Sequence, residues 1–557
     1  MKLFTVAQMV AAEKAADAQG ITYAHMMETA GRRLATAIID RYHVAGQSIL
    51  ILVGPGNNGG DGLVAGRYLA EAGATVAFYL YKARDPQQDS NLAQVLDYPL
   101  QVMADDADFQ WLTGRLETAV FLIDGLLGTG VSRPIEGKMA DLLQTITHTI
   151  RPDRLFDERV QGHLGSNPVR SLTNPAQPEP TPPPRPIIVA VDCPSGLNCD
   201  NGQLDPLALP AQLTVTFAGP KWGHYLFPGA AACGQLVVAD INIPADLPAI
   251  ADIKSEVATA ALARHLLPPR PLDGHKGTFG KVLIVAGSDQ YWGAPFLAAL
   301  AALRAGSGLV ALCVPQAIRA TIAGQLPEAT FVPVTDEGLL RSETAVLLHQ
   351  SSPDYDAILI GPGLAEATDL IQTFINQDNS SLPPLVIDAD GLNQLVTHEE
   401  WPNRIPAHAI LTPHPGEMAR LMGLPLDELK QQNRIALAQQ QAEHWQHIVV
   451  LKGAYTVVAA PDGRVTVIPF ANPALGTAGS GDVLAGVIVS LLGQGMGRYE
   501  TAVLGCYLHA LAGSLAGHDS GPLAREIAHN LPIARQEILT QRRRDAEKKG
   551  SCGFRGV

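Results

Sequence analysis

Short apolar runs that end in glycine or polar residues recur along the chain, and helix-length stretches separate most of them. In the first half such runs occupy residues 48–54, 119–134 and 186–198. In the second half they include residues 280–288, 356–364 and 384–393. Strand-like segments that alternate with helical segments are typical of parallel α/β sheets. The pattern therefore predicts two successive α/β units.

A glycine-rich loop, GPGNNGGDG at residues 54–62, follows the first run and precedes a helical pattern. In such a unit, ligand phosphates bind at the helix N-terminus. The loop is not a Walker sequence and matches GxGxxG only loosely, so a tight turn explains its glycines equally well. Later runs also end in polar residues, and parallel strands bring their carboxyl ends to one rim. We therefore expect one crevice to be lined by Asn58, Asp61, Asp124, Asp192 and Ser195.

The second half contains NPALGTAGSGDVLAG at residues 472–486. Its glycines allow consecutive N–H groups to form an anion-binding loop, and the following helix directs its positive end to the same point. The predicted anion hole is Gly479, Ser480 and Gly481. Asp482 would repel a phosphate there, which makes sense if it removes a proton from a hydroxyl that attacks phosphorus. For a bare GxGD sequence, a glycine turn with an N-capping aspartate is the alternative.

Composition narrows the class of partners. The chain has 557 residues and a net charge of -14, which argues against nucleic acid or an anionic membrane as its partner. The N-terminus lacks the unbroken apolar core of an export signal, and the longest apolar run, residues 483–496, is shorter than a membrane span. The six cysteines show no zinc-binding spacing. We therefore expect a cytoplasmic protein that binds neither nucleic acid nor a membrane.

Proline content and charge divide the chain further. A segment of little periodicity, PADLPAIADI at residues 244–253, predicts a first domain over 1–245, a linker over 246–256 and a second domain over 257–540. A basic and disordered tail is predicted over 541–557. Closely spaced prolines predict a polyproline-like surface insertion over about 150–186. An SH3-type ligand is the alternative to a tolerated insertion.

The first half resembles the YjeF N-terminal family, the NAD(P)H-hydrate epimerases, through GPGNNGGDG, DGLLGTG and VDCPSG in this order. The resemblance implies a Rossmann-like three-layer αβα domain and a potassium site formed by Asn58, Asp124 and Ser195. Residues 57–61, residues 128–134 and Asp192 are the implied substrate contacts. By name these are Asn57, Asn58, Gly59, Gly60, Asp61, Gly128, Thr129, Gly130, Val131, Ser132, Arg133, Pro134 and Asp192. We expect Asp192 to be the catalytic acid/base that shuttles a proton while the bond to the C6 hydroxyl opens and recloses.

The second half resembles the YjeF C-terminal family, the ADP- or ATP-dependent NAD(P)H-hydrate dehydratases of ribokinase-like fold. The motifs, in order, are HKGTFGKVLIVAGS, GPGL, DADGLN, TPHPGE, KGAYT and GTAGSGD. The implied contacts of the hydrated substrate are Ala294, Gly363, His414 and Asp482. The implied contacts of the adenine nucleotide are Lys452, Gly453, Ala454, Tyr455, Thr456 and Gly481. Glu417 is the expected Mg²⁺ ligand, through water.

Two of these residues have plainer interpretations. Taken alone, Lys452 would be a solvated lysine at a strand end, and His414 would be a structural histidine.

Together the resemblances imply a bifunctional repair enzyme for hydrated NADH and NADPH. The first domain, with K⁺, would interconvert the C6 epimers, and the second, with Mg²⁺ and ADP, would dehydrate the S form. Asp482 would deprotonate the C6 hydroxyl, the hydroxyl would take the terminal phosphoryl group, and phosphate would then leave. A ribokinase-like kinase for a small alcohol, fused to a nucleotide-binding module, is the alternative. We also expect a homo-oligomer.

Overall fold

The computed structural model describes residues 1–150, 186–377, 382–398, 400–517 and 521–551, with side chains described as far as residue 540. These residues form two compact units that divide between Ile253 and Lys254, with Met1 assigned to the second unit. The predicted proline-rich insertion lies, apart from its first and last residues, outside the described residues.

The first unit is built on a sheet of seven parallel strands. The strands are β1 Ser48–Val53, β2 Thr75–Leu80, β3 Leu100–Val102, β4 Phe121–Gly125, β5 Ile187–Val191, β6 Leu213–Phe217 and β7 Gln235–Ala239. Their spatial order is β3-β2-β1-β4-β5-β6-β7. The helices are α1 Val6–Ala18, α2 Tyr23–Ile39, α3 Asn57–Glu71, α4 Ser90–Ala93, α5 Gln110–Thr118, α6 Gly137–Ile150, α7 Gly229–Ala232 and α8 Pro248–Ala251.

Alternate residues of β1 enter two different cores, which shows that both faces of this sheet are covered. Ile49 and Ile51 pack in one core with residues of α1, α2 and α3. Leu50 and Leu52 pack in the other core with residues of α5 and α6. Because successive side chains of a strand point to opposite faces, this unit has three layers, αβα. The continuous apolar runs in the sequence are explained by burial on both faces.

The second unit is built on a mixed sheet of ten strands. They are β8 Ser255–Val257, β9 Lys281–Val285, β10 Leu309–Cys313, β11 Thr330–Phe331, β12 Ala357–Ile360, β13 Leu385–Ile387, β14 Ile410–Leu411, β15 Ile448–Leu451, β16 Val457–Ala459 and β17 Val465–Val467. The order is β11-β10-β9-β12-β13-β14-β15-β16-β17-β8. Strands β9 to β15 pair in parallel with one another, β16 is antiparallel to both β15 and β17, and β17 is parallel to β8.

Thirteen helices accompany this sheet among the described residues. They are α9 Ala260–Leu266, α10 Gly293–Ala305, α11 Gln316–Gln325, α12 Ser342–Ser351, α13 Thr368–Ile375, α14 Asp390–Leu395, α15 Trp401–Arg404, α16 Pro415–Met422, α17 Leu426–Lys430, α18 Arg434–Trp445, α19 Ser480–Gly493, α20 Arg498–Ala516 and α21 Ala524–Ser551. Helix α21 extends to Ser551 and so enters the segment for which a basic and disordered tail is predicted.

Helix α19 is buried along almost its whole length and carries the predicted anion hole at its first turn. A glycine allows it to pack closely on α10, because a Cβ atom at Gly486 would lie only 2.2 Å from the carbonyl oxygen of Ala298. Gly479 precedes the helix with a φ of 85°, which favours glycine. Close packing and this turn together fix where the N-terminus of α19 points.

We predict that Gly486→Ala destabilises the second unit. Alanine gains about 1 kcal/mol of helix propensity, but overpacking against the α10 backbone costs about 1–3 kcal/mol. The matched control is Gly324→Ala in α11, where an added Cβ meets no atom within 4 Å. Thermal unfolding should show a lower midpoint for Gly486→Ala and an unchanged or slightly higher one for Gly324→Ala. A higher midpoint for Gly486→Ala would contradict the close packing.

Candidate active sites

Three polar residues from separate segments of the first unit meet where β1, β4 and β5 end. Asp124 lies near the end of β4, and Ser195 follows β5. The Ser195 hydroxyl donates to Asp124 Oδ1 at 2.6 Å, and the Ser195 N–H donates to Asp124 Oδ2 at 2.8 Å. Asn58 Nδ2, in the first turn of α3, donates to the carbonyl oxygens of Val191 and Leu127. The predicted potassium ligands are therefore brought together.

Glycines allow the loops after β1 and β4 to approach each other closely. A Cβ atom at Gly54 would lie 1.8 Å from the Leu126 carbonyl oxygen. A Cβ atom at Gly128 would lie 2.6 Å from Asn58 Oδ1. Larger residues at these positions would separate the loop after β1 from the loop after β4. The predicted contacts 57–61 start α3, and 128–134 form the loop between β4 and α6.

The carboxylate of Asp124 is fully buried, and burial raises its pKa to about 6 despite the hydrogen bonds from Ser195 and Leu126. Among the described residues, no lysine or arginine forms an ion pair with it. The ionised form therefore lacks a compensating charge, which is costly in a protein interior. Carboxylate, hydroxyl and amide oxygens around this charge fit a hard cation such as K⁺.

Asp192 follows β5 and has a different environment. Its φ of 63° is unusual for a residue other than glycine, and its carboxylate faces the end of β6 and the segment that follows. Asp192 Oδ1 accepts hydrogen bonds from Lys221 Nζ, from the Thr216 hydroxyl at 2.7 Å and from the Phe217 N–H at 3.2 Å. Burial raises the pKa of Asp192, but the charge and hydrogen bonds of Lys221 and Thr216 outweigh it and leave this pKa low.

Two further carboxylates lie close enough to interact with Asp192. Glu13 projects from α1, and Asp61, a predicted substrate contact, projects from α3 and is 6% exposed. Burial raises the pKa of both groups, and the charge of Asp192 raises each pKa further. The site therefore favours ionisation of Asp192 over ionisation of Glu13 and Asp61. Sequence reasoning missed Glu13 and Lys221, because neither belongs to a glycine loop or a strand end.

In the second unit, the predicted anion hole and catalytic residue share the start of α19. Asp482 lies in the first turn of the helix. A Cβ atom at Gly479 would lie 3.8 Å from Asp482 Oδ2, so the carboxylate adjoins the glycine loop. The Ser480 hydroxyl lies 3.2 Å from Nε2 of His509, a buried residue of α20 whose burial lowers its pKa to about 4. The histidine next to the loop is therefore neutral at pH 7.

Lys452, directly after β15, is not a solvated lysine. Its Nζ atom lies 2.6 Å from Asp388 Oδ1 and 3.5 Å from Glu417 Oε2. Asp388 also accepts a hydrogen bond of 2.7 Å from the Thr412 hydroxyl. A Cβ atom at Gly481 would lie 3.6 Å from Lys452 Nζ, which places the ammonium group next to the anion hole. Asp388 belongs to the DADGLN motif, but sequence reasoning did not identify its ion pair.

His414 and Glu417 form a capping box at the start of α16. Nδ1 of His414 accepts a hydrogen bond of 2.9 Å from the Gly416 N–H, and Glu417 Oε2 accepts one of 2.7 Å from the His414 N–H. His414 thus has the structural role considered above, and its exposed ring also faces solvent. Glu417 is buried and interacts with Lys452, so a Mg²⁺ ion here would share this carboxylate with the lysine. Among the described residues, no group of three or more His, Cys, Asp or Glu side chains is arranged to hold a metal ion.

The remaining predicted contacts fall into two places. Gly363 adjoins Ala294, because a Cβ atom at Gly363 would lie 2.9 Å from the Ala294 Cβ atom. The loop from Lys452 to Thr456 is held by Arg434, which donates to the carbonyl oxygens of Lys452 at 2.9 Å and Ala454 at 2.8 Å. Arg434 was not identified from the sequence, because it lies on α18, away from the motifs.

The Asp482 carboxylate has the electrostatics of a general base. Burial and the charge of the Asp388 carboxylate raise its pKa, Lys452 opposes them, and the resulting pKa is about 7. A general base is most effective when its pKa lies close to the working pH. Proton removal at neutral pH is therefore within reach of this residue.

Comparisons with known proteins match both halves of the chain. Residues 282–532 match the family described as NAD(P)H-hydrate dehydratase. Residues 23–223 match the family described as YjeF-related protein N-terminus. A bifunctional NAD(P)H-hydrate repair enzyme of Moorella thermoacetica is 37% identical over 94% of this chain and 94% of its own length.

The chain belongs to the family of bifunctional NAD(P)H-hydrate repair enzymes. Another member, from Salinibacter ruber, is 34% identical over 97% of each chain. The prediction of a Rossmann-like unit followed by a ribokinase-like unit is confirmed.

Solved structures of other proteins match the second half of this chain. The ADP/ATP-dependent NAD(P)H-hydrate dehydratase of Bacillus subtilis, co-crystallised with ATP and Mg²⁺, is 32% identical, with a TM-score of 0.44 over 51% of this chain and 98% of its own. A ribokinase-like superfamily protein of Enterococcus faecalis is 28% identical, with a TM-score of 0.44 over 51% of this chain and 96% of its own. None of the described helices combines the length and the apolar composition that a membrane span requires.

We predict that Asp482→Asn stabilises the folded chain at alkaline pH. Because the pKa of Asp482 is raised to about 7, ionisation is less favourable in the folded than in the unfolded chain. This penalty is absent below the ordinary aspartate pKa of about 4 and complete above pH 7. Thermal unfolding should therefore show a higher midpoint for Asp482→Asn at pH 8, with the difference shrinking towards pH 5. An equal midpoint at pH 8 would contradict the raised pKa.

Proposed function

We propose that this chain repairs hydrated NADH and NADPH by two activities, one in each unit. The first unit interconverts the R and S epimers at C6 of the hydrated nicotinamide ring. The second unit dehydrates the S epimer to NADH or NADPH and converts ADP to AMP and phosphate. The observation that carries this proposal is that the chain aligns with bifunctional repair enzymes over its length, while each unit presents a buried aspartate with a matching lysine at the ends of its parallel strands.

In the second unit, Asp482 takes the proton of the C6 hydroxyl. The hydroxyl oxygen then bonds to the terminal phosphorus of ADP, the bond from this phosphorus to the bridging oxygen breaks, and AMP leaves. A C5 proton passes to solvent water as the C6–O bond breaks, which forms the C5–C6 double bond and releases phosphate. Because the phosphate ester is consumed in this elimination, the nucleotide drives a dehydration and no stable ester accumulates.

The residues around Asp482 supply the charge balance that this transfer needs. In this proposal the N–H groups of Gly479 and Gly481 and the ammonium of Lys452 would adjoin the transferred phosphoryl group. The Ser480 N–H of the predicted anion hole donates to the Thr477 carbonyl oxygen at 3.2 Å. Fixed donors of this kind stabilise charge that develops in a transition state. Mg²⁺, with Glu417 as a ligand through water, would neutralise the phosphates of the nucleotide. Residues Ala294, Gly363 and His414 contact the hydrated substrate, and residues 453–456 contact the adenine nucleotide.

In the first unit, Asp192 is the acid/base. The hydrated ring carbon C6 bears both the hydroxyl group and the ring nitrogen. When Asp192 takes the hydroxyl proton, the C6–N1 bond breaks, its electron pair stays on N1, and C6 becomes an aldehyde. Ring closure on the opposite face of the aldehyde, with return of the proton to oxygen, gives the other epimer. Residues 57–61 and 128–134 hold the substrate beside this carboxylate.

We propose that the first unit binds a potassium ion at Asn58, Asp124 and Ser195. The proposal rests on the fully buried carboxylate of Asp124, whose charge no lysine or arginine of the described residues compensates. A bound K⁺ would neutralise this charge close to the substrate phosphates.

Two conservative variants separate the two activities, and each serves as the control for the other. Asp192→Asn should abolish epimerisation, because an amide cannot take the hydroxyl proton, and leave dehydration of the S epimer unchanged. Asp482→Asn should abolish dehydration and leave epimerisation unchanged. Epimer ratios followed by chromatography and NADH absorbance measure the two rates. An Asp192→Asn chain that still epimerises, or an Asp482→Asn chain that still dehydrates, would refute the corresponding catalytic role.

A further inference from the structure

The two carboxylate oxygens of Asp192 have unequal environments. Oδ1 accepts all three hydrogen bonds that reach this side chain, from Lys221, Thr216 and Phe217. Oδ2 accepts none from any residue that the structure describes. The side chain is 11% exposed, so access to the crevice is narrow but present. One oxygen is therefore anchored and the other is available to a substrate.

Of the three groups that donate to Asp192 Oδ1, only the Lys221 ammonium carries a formal charge. Its side chain is only 1% exposed. Besides Asp192, its Nζ atom donates to the Thr216 hydroxyl at 2.9 Å and to the Phe217 carbonyl oxygen at 3.3 Å. The three protons of the ammonium group thus have three acceptors within the protein, and almost none of the group reaches solvent. A lysine so enclosed acts on the substrate through Asp192 and does not contact it.

The backbone around Lys221 keeps the lysine in place. Its N–H donates to His224 Nδ1 at 3.1 Å. Residue Phe4, near the N-terminus, forms a parallel bridge with Lys221, and its N–H donates to the Pro220 carbonyl oxygen at 2.9 Å. A local contact with His224 and distant contacts with Phe4 therefore hold this lysine beside the end of β5.

Other titratable groups around Asp192 oppose its ionisation. Glu13 on α1 and Asp61 on α3 carry the same sign of charge, and Cys193 and Cys199 also interact electrostatically with it. His224 favours the ionised carboxylate to a smaller degree than Lys221 does. Without the lysine, a buried aspartate beside two other carboxyl groups would take up a proton at higher pH.

We propose that Lys221 is the positioning residue of the epimerase site: it fixes Asp192 Oδ1, keeps this carboxylate ionised, and so leaves Oδ2 to exchange the proton of the C6 hydroxyl. This inference rests on the epimerase activity proposed above. It assigns to Lys221 no contact with the substrate and no proton transfer of its own.

The test is the pH profile of epimerisation kcat/KM for Lys221→Met in the full chain, with NADH hydrate as substrate. Loss of the cation raises the pKa of Asp192, and Asp192 must be ionised to accept a proton. The acid limb of the profile should therefore move to higher pH, and the rate below this limb should fall about tenfold for every pH unit by which the limb moves. Rates near pH 9 should be affected least. An acid limb that stays at the wild-type pH overturns the inference, whatever the loss of rate.

A second variant keeps the inference testable if Lys221→Met fails to fold. Thr216→Val has nearly the same shape, retains the lysine, and removes one hydrogen bond to Oδ1. Its acid limb should also move to higher pH, by less than in Lys221→Met, and an unmoved limb would contradict the anchoring of Oδ1. Lys14→Met, which removes an exposed lysine of α1, is the matched control and should retain the wild-type profile. Absence of epimerisation in the wild-type chain would instead refute the proposed activity itself.

Discussion

A carboxylate taken out of water is costly unless a cation or hydrogen bonds compensate it, and both units bury carboxylates where their parallel strands end. Each buried aspartate is compensated differently. Asp192 has Lys221, Asp388 has Lys452, and Asp124 has hydrogen bonds without a cation. In the second unit, the Asp482 carboxylate has weaker compensation than Asp388, because burial is the largest influence on its pKa and raises it. Burial therefore raises the pKa of Asp124 and Asp482, whereas Lys221 keeps the pKa of Asp192 low.

The parallel sheet explains why the same arrangement occurs twice in one chain. Parallel strands bring their carboxyl ends to one edge, where loops provide polar groups and helices direct their positive ends. Glycines then decide how closely these loops approach one another, as Gly54 and Gly128 do in the first unit. A stereospecific dehydratase leaves the other epimer unused, so an epimerase joined to it by the chain supplies its substrate at a high effective concentration.

The sequence predicted the elements with strong local signals. The α/β class, the aspartates that follow strands and the glycine loop before α19 all follow from apolar periodicity and turn chemistry. Ion pairs could not be predicted in this way, because Lys221 lies 29 positions from Asp192, and Lys452 lies 64 from Asp388. The capping box of His414 with Glu417 has a local signature, but motif resemblance directed attention to ligand binding.

The most direct measurement is the recovery of NADH absorbance in the near ultraviolet from a mixture of R and S NADH hydrate with ADP, Mg²⁺ and K⁺. Two active units predict complete recovery, because epimerisation returns the R form to the dehydratase as the S form is consumed. Recovery that stops at the initial S fraction would contradict the epimerase assignment. No recovery with either ADP or ATP would contradict the repair function as a whole.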